Sequence, residues 1–218
     1  MSNSGETSRI RYDEGCLGAH ALNLIGDRWA LLVVRELMFA PKRFQMLRAG
    51  MPGITASVLN GRLAQLREAG VVLHDERLGV YSLTGAGHGL LPVLEALCRW
   101  ALTVPGHDPS RFISPSALMI SMGVNLMRER AAGREALAGF NFGKEAFEMR
   151  LADGRLTTTA VARPDAPFVL TGSGNAMAVA VYGTAPLALL IDKGFIGASG
   201  DVSAAQAFID LFRLEPQP

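Results

Sequence analysis

The sequence predicts an α+β protein in two domains, and three observations predict it. Short helical segments over residues 16–69 close on a β-prone hairpin at 71–83, and a proline-rich stretch, VPGHDPSRFISP, interrupts the chain at 104–115. Beyond it, strand-like alternation turns at Asp153-Gly154. The expected boundaries are therefore 1–103, a linker at 104–115 and a smaller second domain at 116–218. With 218 residues, 49% of them apolar, each half can bury its own core.

The net charge of +1 gives the whole molecule no bulk attraction to nucleic acid, so any such binding needs a local patch. One exists between Arg28 and Arg67, where Arg28, Arg35, Lys42, Arg43, Arg48, Arg62 and Arg67 face a lone acid, Glu36. Cys16 and Cys98 are too few for a secreted disulfide framework, and residues 1–15 lack the apolar core of a signal peptide. A cytoplasmic protein is expected. Ala166 to Ile191 carries no charge, but Pro167, Gly172, Gly174, Gly183 and Pro186 interrupt it, so no membrane span is expected.

Taken in order, Cys16 to Ile25 reads as a short helix ended by Gly26, and Arg28 to Met38 as a central helix apolar on most sides. Pro41 starts a turn into a third helix, Lys42 to Gly50. A fourth follows from Thr55, with Leu59, Leu63 and Leu66 at i, i+4 and i+7 as its buried stripe. Thr55 suits its N-cap and Gly70 the position just past its end. The opposite face carries Ser57, Asn60, Gly61 and Ala64, with Arg62 and Arg67 on the flanks. That face is small, polar and cation-flanked, which suits the major groove of duplex DNA, whose base edges pair with Asn, Ser and Arg. Gly61 should cost a free helix about 1 kcal/mol relative to alanine, so something is expected to approach its backbone closely.

Two short helices joined by a tight turn, the second with a polar outer face, have the layout of a helix-turn-helix. The hairpin of Val71–Glu76 and Val80–Leu83, exposing Arg77 at its tip, then reads as a wing for neighbouring phosphates. Thr84 is expected to cap one long helix, Gly85 to Leu102, with more apolar surface than a three-helix core needs. The surplus suits a second subunit, the alternative being packing within the chain against residues beyond 110.

Residues 16–101 resemble the HxlR-type winged-helix transcriptional regulators. The likeness is carried by CLGAHALNLIGDRWALLVVREL, by PKRFQMLRAGMPGITASVLNGRLAQLREAGVV and by YSLTGAGHGLLPVLEALCRW. It implies a homodimer, joined through the first and last helices of the domain, that binds double-stranded operator DNA through the 55–69 helix and the 72–82 wing. The candidate DNA contacts are Lys42, Arg43, Thr55, Ser57, Val58, Asn60, Gly61, Arg62 and Arg77. Several members use an N-terminal Cys as a thiol switch, and Cys16 stands at that position as a candidate redox switch. A helix N-terminus and Arg11 would favour its thiolate, Asp13 and Glu14 would oppose it, and a buried, inert thiol is the favoured reading. Cys16 and His20 have i, i+4 spacing but no further ligands nearby, so no metal is expected.

In the second half, Ala117 to Leu137 has helical periodicity ending in Arg128-Glu129-Arg130. Ala146–Ala152 and Arg155–Ala162 read as a hairpin and Phe168–Gly172 as a third strand. Asn175–Tyr182 and Pro186–Lys193 read as short helices, Ile196–Gly200 as a further strand and Ala204–Leu214 as a closing helix. An antiparallel sheet with covering helices is expected. The runs FVLTGSGNAMAVAVYG and PLALLIDKGFIGASGDVSAAQAFIDLF resemble the sterol-carrier-protein-like domains, which implies an apolar tunnel. Its candidate lining is Phe147, Met149, Phe168, Leu170, Met177, Val181, Leu187, Leu190, Ile191, Phe195 and Ile196, plain core packing being the alternative for each.

No phosphate loop, nucleophile triad, paired-carboxylate site or metal cluster is legible, so neither an enzyme nor a cofactor is expected. The sequence thus predicts a dimeric DNA-binding regulator whose second domain takes a small apolar effector. The alternative is a lipid-binding carrier in which the winged helix serves only dimerisation.

Overall fold

A computed structural model describes residues 11–214, so the expectation about the leader lies largely outside the described residues. The first half comprises α1 (Leu17–Ile25), α2 (Ala30–Leu37), β1 (Lys42–Arg43), α3 (Phe44–Ala49) and α4 (Ala56–Glu68). It continues with β2 (Val72–Asp75), β3 (Val80–Leu83), α5 (Gly85–His88) and α6 (Leu91–Ala101). Val33, Val34 and Leu37 of α2 meet Leu47 of α3, Leu59, Leu63 and Leu66 of α4, and Val72 and Leu83 of the hairpin in one buried cluster. Each such side chain contributes about 1.5–3 kcal/mol on burial, so this cluster fixes how α4 sits. The small antiparallel sheet runs β1-β3-β2, which ties the entry to α3 to the hairpin.

The single helix expected over 85–102 is two. Thr84 caps α5 by accepting from the Gly87 amide at 3.1 Å, and Gly89-Leu90 separate it from α6, which carries Pro92 in its first turn. Proline lacks the amide that a continuous helix would need there.

The second half comprises α7 (Pro115–Val124), α8 (Arg128–Ala131), β4 (Ala136–Asn141), β5 (Ala146–Ala152) and β6 (Arg155–Ala160). Then come β7 (Phe168–Thr171), α9 (Gly174–Tyr182), α10 (Leu187–Asp192), β8 (Gly197–Gly200) and α11 (Val202–Ile209). The helical periodicity read through Leu137 stops at Val124, and Gly133, at φ +68°, turns the chain into β4. That strand is the centre of a sheet ordered β6-β5-β4-β7-β8. Its pairing with β7 is parallel, so the sheet is mixed rather than antiparallel. The β5–β6 hairpin turns where expected, Asp153 and Gly154 both having positive φ, 51° and 69°.

An ionic cluster joins the halves. Glu36 of α2 is fully buried; its Oε1 accepts from Arg35 Nη2 at 2.8 Å and from the Ser114 hydroxyl at 2.6 Å. The Lys42 ammonium donates to Glu36 Oε2 at 3.2 Å and to Ser116 Oγ at 3.0 Å, and pairs with Glu145 Oε1 at 2.5 Å. Arg35 also reaches the Gly50 carbonyl at 3.1 Å, so one network spans α2, β1, the end of α3, the start of α7 and the β4–β5 turn. Two cations and two carboxylates leave it neutral, the condition under which buried charge is tolerated. Between the halves, α7 sends Ile120 into the first core and Leu118, Met119 and Met122 into the second.

Candidate nucleic-acid interface

Both ends of α4 are built by local chemistry. Thr55 Oγ1 accepts from the Val58 amide at 3.3 Å at the N-terminus. At the other end Gly70 takes φ +68° while its amide donates to Arg67 O (3.0 Å) and that of Val71 to Leu66 O (2.9 Å), the paired bonds of a Schellman cap. With the leucine stripe buried, Thr55, Ser57, Val58, Asn60, Gly61, Ala64 and Arg67 are left exposed. Around Gly61, among the described residues, nothing beyond its own helix backbone and chain neighbours lies within 4 Å of where a Cβ would stand, so the close approach expected there is not made by these residues.

The hairpin adjoins this face. Asp75 Oδ1 accepts from the Leu78 amide at 3.0 Å and braces the tip, where Arg77 is exposed; His74 and Tyr81 stack across the two strands at 4.2 Å. Arg43, just before α3, is exposed as well.

Two of the candidate contacts stand elsewhere. Lys42 is only 2% exposed and its ammonium is enclosed by Glu36, Glu145 and Ser116, so it cannot reach a phosphate. Its place in β1, paired to Tyr81, turns it inward, whereas the next residue, Arg43, points out. Arg62 leans back toward α1: its Nε lies 2.8 Å from Asp27 Oδ1 without hydrogen-bond alignment, and its guanidinium bonds Gln65. Its side chain is 22% exposed, a brace for α4 rather than a free contact. The residues that sequence reasoning missed are Glu36, Ser114, Ser116 and Glu145; the signal available was Glu36, alone among seven cations.

Helices α1 and α6 leave much apolar surface uncovered, although α6 packs against α7 and places Leu91 and Cys98 on the first core. Among the described residues α1 buries none and α6 only Leu94, while Leu17 is 84% and Trp100 62% exposed. Cys16, expected to be buried, is exposed at the N-cap of α1, where the backbone amides of Ala19 and then Gly18 hold its thiol below the usual range. Cys98 is half-buried, and burial pushes its thiol up. A thiolate is the nucleophile, so iodoacetamide at pH 7 should modify Cys16 on the order of tenfold faster than Cys98. Mass spectrometry of the timed digest would reveal equal rates if the two environments did not differ.

Most of the candidate tunnel lining lies in one buried apolar cluster. Phe147, Met149, Phe168, Leu170, Met177, Val181, Leu187, Leu190 and Ile196 are buried together, Ile191 packs on them, and Phe195 is 48% exposed. Phe168 alone of these borders a nearby cavity of about 360 Å³, beneath α11, which Leu137, Phe208 and Leu211 also line with Arg134 among its residues. Among the described residues no helix is long and apolar enough to cross a membrane.

A helical core, a tight turn, an outward-facing second helix and a β-ribbon beside it define a winged helix-turn-helix protein. Residues 24–107 match the family described as HxlR-like helix-turn-helix. YvaP of Bacillus subtilis (strain 168), an uncharacterized HTH-type transcriptional regulator, is 34% identical over 87 residues, covering 37% of this chain and 80% of that protein. Rv3095 of Mycobacterium tuberculosis, similarly described, is 36% identical over 92 residues, 40% of this chain and 58% of its own length. The quinone-bound crystal structure of YodB from B. subtilis is 32% identical and covers 39% of this chain and 94% of that one, with a TM-score of 0.36. The chain belongs to the HxlR-like helix-turn-helix family.

Proposed function

We propose that this protein is a homodimeric DNA-binding transcription regulator in which α4 enters the major groove and the β2–β3 hairpin touches the flanking phosphates. The observation that carries this reading is the outer face of α4, where Ser57, Asn60 and Gly61 are exposed beside Arg67 while the helix is anchored by three buried leucines. Thr55 and Val58 stand at the start of the same face, and Arg43 and Arg77 flank it. Family membership supports the reading, since the relatives are described as HTH-type transcriptional regulators. The uncovered apolar side chains of α1 and α6 supply a surface for the second subunit, which a two-fold symmetric operator requires.

Fluorescence anisotropy of the purified protein with the DNA upstream of its own gene tests the proposal. Salt-sensitive binding stronger than to random duplex is expected, and equal affinity for both would reject it. Arg77→Ala should weaken binding to every sequence alike and reduce the salt slope by about one. Arg62→Ala should act through the seating of α4 against Asp27, not through a lost base contact.

For the second half we infer a role in sensing a small apolar molecule. The cavity under α11 supports that reading, being walled mainly by apolar side chains with one arginine, Arg134, and one glutamate, Glu135, in its lining. A ligand there controls DNA binding only through unequal affinity for the binding and non-binding forms.

A further inference from the structure

We propose that the cleft between the two halves, beside the buried ionic cluster, is a binding site for a short-chain aliphatic carboxylate. The cleft encloses about 280 Å³ between the Pro41–Lys42 segment and the β4–β5 and β6–β7 turns. That is room for roughly nine water molecules at about 30 Å³ each, the size of a small organic acid and not of a nucleotide. Its walls mix alkyl surface, including Met46 and Val161, with Lys42, Lys144, Arg163 and a single acid, Glu145.

The charges there are unevenly matched. Lys42 is satisfied by Glu36, Glu145 and Ser116. Lys144 and Arg163 are exposed and, among the described residues, make no ion pair. An entering carboxylate therefore meets two uncompensated cations, one on each rim-forming turn, while its alkyl chain replaces water against Met46 and Val161. Glu145 is the natural competitor for that carboxylate, since it already places the same group on Lys42 from within the cleft. Occupancy would be felt where the second half is fastened to β1, and hence at the hairpin that pairs with β1.

Calorimetric titration of the full chain with hexanoate, with hexanamide as the neutral counterpart, tests the site directly and independently of DNA binding. Saturable hexanoate binding is expected, with hexanamide at least tenfold weaker. The double variant Lys144→Met/Arg163→Met alters only exposed side chains, and it should weaken hexanoate at least tenfold. Glu145→Gln should tighten it, because the competing charge is gone. Absence of saturable binding, equal binding of the amide, or a double variant that binds hexanoate as the wild type does would each overturn the proposal; the last result would place the ligand under α11 instead.

Discussion

Glu36→Ala is expected to remove about 3–5 kcal/mol of folding free energy, the cost typical of breaking a buried ion pair from one side. The carboxylate is fully buried and accepts from Arg35, Lys42 and Ser114, so its loss takes an acceptor from three donors and leaves the Ser114 hydroxyl without one. Arg35 keeps the Gly50 carbonyl and Lys42 keeps Glu145, which is why the loss is not larger. Urea unfolding followed by circular dichroism reads it. Lys42→Ala should cost a similar amount, and a loss under about 1 kcal/mol in both would mean that water already screens the cluster, as it does at exposed pairs.

Asn60→Ala is expected to weaken binding to the operator by about 5–150-fold, the 1–3 kcal/mol of a lost bidentate base contact, while leaving random-sequence affinity unchanged. Gly61→Ala should separate folding from recognition. Among the described residues nothing beyond the helix's own backbone and chain neighbours lies within 4 Å of the added methyl, so the helix should gain up to about 1 kcal/mol in stability. The same methyl stands on the exposed face of α4 that we propose enters the groove, so operator affinity should fall. A variant that is both more stable and equally tight would mean that DNA does not approach α4 at that point.

Periodicity carried much of this architecture. The leucine stripe of α4, its Thr55 cap and Gly70 end, and the Asp153-Gly154 turn are local signals, and each is found where its chemistry requires. What local pattern could not carry was partnership across distance. Lys42 and Arg43 are adjacent basic residues in sequence, yet pairing of β1 with β3 turns one inward to Glu36 and the other to solvent. Arg62 looks free along α4 and is claimed by Asp27, which lies far back in the chain. The strand β4 is not legible in the sequence: the helical pattern runs over its first two residues, Ala136 and Leu137, and the consecutive burial of Ala138, Gly139 and Phe140 in the sheet centre erases the alternation that would mark the rest. The apolar residues of the second half were legible as buried; whether they surround a void or one another is a matter of packing, which spacing does not encode.

Because α7 contributes Ile120 to one apolar interior and Leu118, Met119 and Met122 to the other, it serves as a beam common to both rooms. Any disturbance that rotates or slides this rod must repack the two interiors together. The winged-helix half and the mixed-sheet half thus share one structural member, and a substitution in α7 should be felt in the packing of both.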